Sequence, residues 1–336
     1  MKDKLVTLIG GGGFVGRYVA QALLKAGARV RVAERDPRRA WFLKPLGGLG
    51  QTQFVAADVR KPETIVRAVQ GADAVVNLVG TLSGDFDGIN AAGAKNVAEA
   101  CAAAGVPALV HVSAIGADAG SEARYARTKG EGEAAVRAAF PNATIVRPSL
   151  VFGREDRFTN RFAEMIARAA AMPLFRVVPV LRAGVRFQPV FVGDVAAAIV
   201  KALGDPESFV GKTVELGGPD TIAMGALMRW IAREIGRDPS FVELPDMLGG
   251  IIARAGFLPG APITKDQWMM LQRDNVVAAD AEGFAAFGIE PAPLAAIAPH
   301  YLVSYRRNGR FAEIEPAADI ERAIELRRNT EIDRAA

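Results

Sequence analysis

The chain has 336 residues, 50% of them hydrophobic and 23% charged, with a formal net charge of +4 at pH 7. That is a soluble globular composition, long enough for one large domain with an appendage. It is too weakly basic to argue for nucleic acid, although a mild basic bias suits an anionic cofactor or a membrane surface.

The elements alternate from the start. "LVTLIG" (5–10) is a short apolar run of the buried parallel-strand kind. "GRYVAQALLKAG" (16–27) follows with apolar residues at helical spacing and a stop at Gly27. "RVRVAE" (29–34) and "QTQFVAAD" (51–58) read as the second and third strands, "KPETIVRAVQGA" (61–72) as a helix opening at Pro62, and "DAVVNLVG" (73–80) as the fourth strand. "NAAGAKNVAEACAAAG" (90–105) is a helix and "ALVHVSAIG" (108–116) a fifth strand; "YARTKGEGEAAVRAAF" (125–140) is a helix and "ATIVRPSLVFG" (143–153) a sixth strand. This alternation predicts an α/β fold over residues 1–153, a Rossmann-type doubly wound parallel sheet with right-handed crossovers.

Beyond residue 153 the pattern becomes irregular, with Pro-rich connections and short mixed elements, among them "RFQPVFVGDVAAAIVKAL" (186–203), a strand feeding a helix. The expectation is a smaller mixed α/β C-terminal lobe over 154–310, interleaved with the main sheet and closing over its carboxyl edge. The charged tail 311–336 reads as a terminal helix or a partly disordered docking segment. There is no internal repeat. No apolar run reaches the roughly 18–20 residues of a membrane-spanning helix; "DMLGGIIARAGFLPG" (246–260) is broken by Arg254 and glycines. "MKDKLVTLIG" leads directly into the first strand, so no targeting segment is expected. The single cysteine, Cys101, excludes an intramolecular disulfide and a Cys-based metal site. His111 and His300 are too few for a His-rich one and read as structural, so no metal is expected.

Gly10, Gly13 and Gly16 form G-x-x-G-x-x-G between the first strand and the first helix. The chain must turn tightly there, its backbone must approach a pyrophosphate, and the helix must pack closely on the strand. Amides at the helix start, those of Phe14 and Val15 included, then face the phosphates, aided by the helix dipole. Gly11 and Gly12 are less constrained by the pattern. The end of the second strand should read the adenosine ribose. An acid there favours NAD, and an arginine favours the 2′-phosphate of NADP. The sequence offers both: Glu34, 24 positions after Gly10, and then Arg35, with Arg38 and Arg39 nearby. The arginines tilt the reading to NADP(H) and leave NAD(H) open; a solvated arginine face is the other reading. Asp58, with Val59 beside it, is placed to receive an adenine amino hydrogen. Asn77, Leu78 and Gly80 line the adenosine side.

Tyr125 and Lys129 form Y-x-x-x-K, one turn apart on one helical face. A lysine ammonium near a phenol lowers its pKa, so that the tyrosine acts as general acid or base toward a carbonyl or alcohol; the lysine can also hold the nicotinamide ribose. With the glycine loop, and after a strand ending in Ser113, the pair resembles the short-chain dehydrogenase/reductase superfamily in its extended or atypical branch. "VRPSLVFG" (146–153) and "FQPVFVGDVAAAI" (187–199) resemble the same branch, which implies that Pro148 lies near the nicotinamide. The resemblance also implies a catalytic hydroxyl a little beyond Ser113, where this chain has Ala114 and Ile115. Either Ser113 substitutes or the hydroxyl is absent, and an oxyanion without that donor loses transition-state stabilisation.

Four stretches narrow the resemblance: "GGGFVGRYVAQALLKAG", "FLKPLGGLGQTQFVAADVR", "RYARTKGEGEAAVRAAFPNATIVRPSLVFGREDRFTNRFA" and "PITKDQWMMLQRDNVV". Together they resemble the NAD(P)H-binding accessory subunits of respiratory complex I, "FGREDRFTNRF" (152–162) most tellingly. By spacing alone, "GREDRF" is a charged loop compatible with ion pairs at an interface or over the cofactor. The resemblance implies NADPH held tightly, away from electron transfer, in a structural role. Partners would be the peripheral-arm and junction subunits of complex I. The location would be the cytoplasm or, peripherally, the cytoplasmic face of a bacterial inner membrane. Glu34 departs from that picture, because a carboxylate repels a 2′-phosphate unless Arg35 dominates. Two readings stand: a non-catalytic accessory or assembly subunit, and a free oxidoreductase or epimerase acting on a carbonyl, nucleotide-sugar or quinone-pathway substrate. A sensor of the NAD(P) ratio is a third. "GGIIARAGFLPG" (249–260) and "YRRNGR" (305–310) suit contact with a membrane arm, or else are a core helix and a solvated loop.

Overall fold

The computed structural model describes residues 1–172, 176–254, 256 and 263–309; the charged tail at 311–336 and residues 257–260 of the apolar "GGIIARAGFLPG" stretch lie outside the described residues. The strands are β1 (Leu5–Ile9), β2 (Arg29–Glu34), β3 (Thr52–Ala56), β4 (Ala74–Asn77), β5 (Leu109–Val112), β6 (Thr144–Pro148), β7 (Val151–Phe152), β8 (Val177–Leu181), β9 (Arg186–Phe187), β10 (Val190–Phe191), β11 (Thr213–Leu216), β12 (Ile222–Ala223) and β13 (Ser240–Leu244). The helices are α1 (Phe14–Lys25), α2 (Pro62–Val69), α3 (Ala92–Ala103), α4 (Arg124–Ala139), α5 (Thr159–Ala171), α6 (Val192–Gly204), α7 (Pro206–Phe209), α8 (Met224–Glu234), α9 (Asp246–Arg254), α10 (Lys265–Met270), α11 (Leu294–Ile297) and α12 (Pro299–Leu302).

Seven strands form one sheet in the order β11-β6-β5-β4-β1-β2-β3, every pairing parallel. Its central strands are buried on both faces, which is why they read as unbroken apolar runs. Val6, Leu8, Val30, Val32 and Val76 pack with Leu23 of α1 and Ile199 of α6 on one face. Ile9, Val75 and Leu109 pack with Ile65 of α2, Val97 of α3 and Val136 of α4 on the other. This is the doubly wound fold the alternation predicts. The strand order reverses between β1 and β4, so the chain diverges at their carboxyl ends and leaves a crevice there.

Two local features depart from the sequence reading. Residues Pro37–Leu46, between β2 and β3, form a 3-10 helix, capped by the Asp36 carboxylate accepting from Arg38 N. Before α3, Asp87–Ala91 make a π-helical turn, a form that gathers at functional sites. The later part of the chain contributes β11 to the edge of the main sheet. It also builds a second core of its own, in which Phe152, Ile166, Val178, Val180, Leu227, Ile231 and Leu302 are buried together. Three two-stranded pairings frame that core: β7 with β10, β8 with β13 and β9 with β12. Among the described residues no helix is long and apolar enough to cross a membrane.

Candidate nucleotide-binding site

The loop after β1 is built from positions where a side chain will not fit. Gly10 has φ +84°, and a Cβ there would lie 2.9 Å from Val79 Cγ2. A Cβ on Gly16 would lie 2.6 Å from the Gly11 carbonyl oxygen, the close approach that lets α1 start against the strand. Gly11 and Gly12, loosely constrained by spacing, are also hemmed in: their Cβ atoms would meet Leu8 Cβ at 2.8 Å and Ala40 Cβ at 3.0 Å. Helix α1 opens at Phe14 with Gly13 as its N-cap, no side chain caps it, and its first turn holds no acid. The opening amides of Phe14, Val15 and Gly16 therefore face the crevice as unpartnered donors at the positive end of the helix. A cradle of bare backbone with free amides fits a diphosphate, and this is the observation on which a dinucleotide fits the site.

At the adenosine end, Glu34 turns back on the loop: its Oε1 accepts from Gly12 N at 2.7 Å. Arg35 and Arg39, with Glu34 and Asp36, line a surface cavity of about 310 Å³. Neither of these arginine side chains makes a hydrogen bond or ion pair among the described residues, whereas that of Arg38 is bound to Asp36. Asp58 is gripped by Arg60, whose backbone N, Nε and Nη2 donate to it, and this holds its carboxyl down at about 2. Val59 is tied to α3 through its carbonyl, which accepts from Asn96 Nδ2 at 2.7 Å. Leu78 N donates to Ile9 O, closing β4 onto β1, and Gly80 follows beside Asn90.

The other end of the crevice is a buried polar layer. Asn77 Nδ2 lies 3.1 Å from His111 Nδ1. Burial first, and then the charge of Lys129, hold the imidazole well below its ordinary range, so His111 is neutral. His111 Nε2 and Ser113 Oγ are both buried without a partner among the described residues. Lys129, 3% exposed, donates from Nζ to Val112 O at 2.8 Å. Burial lowers it to about 8, with Glu133 working the other way. Pro148, buried at the end of β6, holds the adjoining loop by accepting from Ile115 N.

Tyr125 and Lys129 share one face of α4, yet the electrostatics run opposite to the expected pairing. The phenol is pushed up to about 12, by burial and then by the Asp266 carboxylate. Lys129 does not offset them: its Nζ is committed to the strand carbonyl of Val112. A tyrosine so placed is a donor rather than a base at neutral pH. Ala114 and Ile115 supply no hydroxyl beyond Ser113.

Two features escaped the sequence reading, and a third, the charged loop at 153–158, finds its partners within the chain. Asn90, 1% exposed, ties the loop after β4 to α4: its side chain bonds Thr81 N, Thr81 O and Thr128 Oγ1. Asp266, from α10, accepts from Arg124 N and Tyr125 N at the start of α4. The "GREDRF" loop turns inward. Glu155 accepts from Tyr18 OH at 2.8 Å and pairs with Arg17 at 3.0 Å, both on α1. Buried Asp156 accepts from Gly153 N, Phe158 N, Thr159 N and Tyr301 OH. The only sequence signal for these was the density of charged and amide side chains; their partners lie up to 145 positions away.

With the geometry in place, the likeness to known proteins can be set beside it. Residues 6–217 match the NAD dependent epimerase/dehydratase family. The 40 kDa subunit of mitochondrial NADH-ubiquinone oxidoreductase from Neurospora crassa is 32% identical over 94% of this chain and 83% of its own length. Subunit 9 of the mitochondrial NADH dehydrogenase [ubiquinone] 1 alpha subcomplex from Mus musculus is 34% identical over 86% of this chain and 77% of its own. A ceramide reductase from Caulobacter vibrioides is 34% identical over 72% of this chain and 74% of its own.

Proposed function

Because the chain belongs to the NAD dependent epimerase/dehydratase family, alongside subunits of NADH-ubiquinone oxidoreductase, we propose that it is a nucleotide-holding accessory or assembly subunit of respiratory complex I. The likeness to two such subunits over most of both chains carries this reading. In it the chain docks on the peripheral arm near its junction with the membrane arm, on the cytoplasmic face of a bacterial inner membrane. NADP(H) is the favoured ligand. Glu34 spends a carboxylate oxygen on Gly12, while Arg35 and Arg39 stand unpaired around the cavity where a 2′-phosphate belongs.

A bound nicotinamide nucleotide supplies hydride chemistry, and this chain's residues are poorly arranged to use it. Tyr125 stays protonated, Lys129 points to Val112 O, and Ser113 Oγ is the one hydroxyl at the end of β5. What the residues do well is hold. The glycine cradle takes the diphosphate, the arginines take the adenosine end, and Glu155 ties α1 to the C-terminal lobe. Ligand binding then stabilises the fold by mass action, about 2.7 kcal/mol at a ligand concentration of 100 Kd.

The test is to purify the protein natively, identify the released nucleotide by mass spectrometry, and probe for co-purifying quinone reductase subunits. NADPH with those subunits supports the reading; a nucleotide-free, unaccompanied protein sinks it. The likeness to a ceramide reductase favours a second reading, an NAD(P)-dependent reductase of a carbonyl substrate. That reading requires turnover that Tyr125→Phe abolishes.

A further inference from the structure

Helix α4 carries Tyr125 and Lys129 but brings no cap of its own: Ala123 is its N-cap, no side chain there bonds the helix, and the first turn holds no acid. The missing cap arrives from the other lobe. Asp266 of α10 accepts from Arg124 N and, at 3.2 Å, from Tyr125 N, the first two amides of the helix. The acid is itself firmly mounted. Thr264 and Gln267 form a reciprocal capping box at the start of α10. The Trp268 ring lies so close to α9 that a Cβ on Gly249 would come within 2.4 Å of it. A carboxylate at a helix N-terminus meets both the orphan amides and the positive end of the dipole.

We infer that Asp266 is a positioning residue for Tyr125: the C-terminal lobe fixes the first turn of α4 and sets a carboxylate on the backbone amide of Tyr125, at the ring end of the nucleotide site. What Tyr125 faces rests on the nucleotide-holding reading above; the contact with α4 does not. The effect is to present a neutral phenol, which offers a bound nucleotide a hydrogen bond and withholds the phenolate that a dehydrogenase uses. The same acid makes occupancy of the site depend on the seating of the C-terminal lobe. Charged groups crowd this turn, among them Arg127 of α4, which pairs with Asp87 at 3.8 Å and with Glu131 at 3.5 Å. Asp266 comes from α10, and Arg124 and Lys129 from α4 itself. Asp87 comes from the π-helical turn and is bound to Arg124 at 2.7 Å. Lys129 is turned to Val112 O, so Asp266 is the charge that acts on the ring.

The test uses the full chain labelled with 3-fluorotyrosine and followed by 19F NMR; the resonance lost in Tyr125→Phe is that of Tyr125. Asp266→Asn keeps the shape and one acceptor but removes the charge. It should move the titration of that resonance down by about one pH unit, while Asp266→Glu leaves it near wild type. NADPH affinity should fall about tenfold in Asp266→Ala and recover in part in Asp266→Asn, whose amide oxygen still caps α4. A titration unmoved in Asp266→Asn overturns the inference. Should that variant not fold, hydrogen exchange in the wild type decides: the Arg124 and Tyr125 amides must exchange more slowly than the uncapped amides of Phe14 and Val15, and equal rates overturn the inference. The titration and the exchange need no nucleotide. A wild type that binds neither NADPH nor NADH therefore sinks the nucleotide reading and leaves Asp266 to be judged on its own.

Discussion

The two ends of the crevice are prepared in opposite ways. At the phosphate end the backbone is stripped of side chains and the opening amides of α1 have no partner, and at the adjoining adenosine end two arginine side chains stand unpaired. At the ring end the titratable groups are committed or perturbed, and only Ser113 Oγ and His111 Nε2 are left without a partner among the described residues. Lys129 is bonded to a strand carbonyl, His111 is neutral, and the Tyr125 phenol is held protonated by burial and an acid. One end offers what binding needs; the other is short of what hydride transfer needs. That asymmetry is what the proposed nucleotide-holding role asks of the site.

The sharpest way to break the comparison is at the phosphate end. Gly13 has φ −73° and caps α1, and a Cβ there meets only the Gly10 carbonyl oxygen, at 3.2 Å. Gly13→Asp should therefore fold, while its carboxylate takes the opening amides and repels the diphosphate. The expected loss is at least about 1,000-fold in nucleotide affinity, or ~4 kcal/mol, by calorimetry, with the apo melting temperature changed little. Affinity within tenfold of wild type would remove the cradle from the argument.

At the ring end the matching experiment is a pH series. Folding lowers Lys129 from 10.5 to about 8, so between those values the unfolded chain carries a proton that the folded chain does not. The sign follows: Lys129 makes stability rise with pH from about 8 to about 10.5, and below that window its burial is a standing cost. Cys101, raised to about 12 by burial, acts oppositely above its usual range. Comparing the wild type with Lys129→Met isolates the lysine. The difference in denaturant midpoints should shrink by the equivalent of about 3 kcal/mol across the window. A difference independent of pH would mean that Lys129 keeps its charge, and the ring end would then be closer to a working site than its geometry suggests.

Much of this asymmetry was half legible in the sequence. Strand and helix alternation and the spacing of Gly10, Gly13 and Gly16 are local signals, and they gave the sheet and the cradle. Local spacing also put Tyr125 and Lys129 on one face. It could not say that Lys129 would be buried against Val112 O, or that the Tyr125 amide would meet the Asp266 carboxylate, 141 positions on. Glu34 was ambiguous for the same reason. Its partner proved to be the amide of Gly12, which frees Arg35 for an anion. A titratable group is governed by what the tertiary fold brings against it, and no short-range pattern contains that.

A smaller effect sharpens the adenosine end. Arg35→Ala should lower NADPH affinity about 10- to 30-fold, roughly 1.4–2 kcal/mol, and leave NADH affinity unchanged, because only NADPH offers the 2′-phosphate. Equal losses for both nucleotides would place Arg35 on the diphosphate instead, and the choice between NAD and NADP would fall back to Glu34.

The smallest effect is the most discriminating for the ring end. Ser113 is 5% exposed, and its hydroxyl has no partner among the described residues. A buried hydroxyl left unsatisfied costs about 1–3 kcal/mol relative to an apolar atom of the same size. If Ser113 serves nothing, Ser113→Ala should leave nucleotide affinity alone and raise apo stability by about 1 kcal/mol, seen as a later denaturant midpoint at constant slope. If the hydroxyl is reserved for the nicotinamide, the same substitution should weaken NADPH binding by several fold, and the stabilisation of the apo protein should vanish once nucleotide is added. The sign of the change with ligand present therefore separates a hydroxyl left over from chemistry from one still in use for binding, and it does so without any substrate being known.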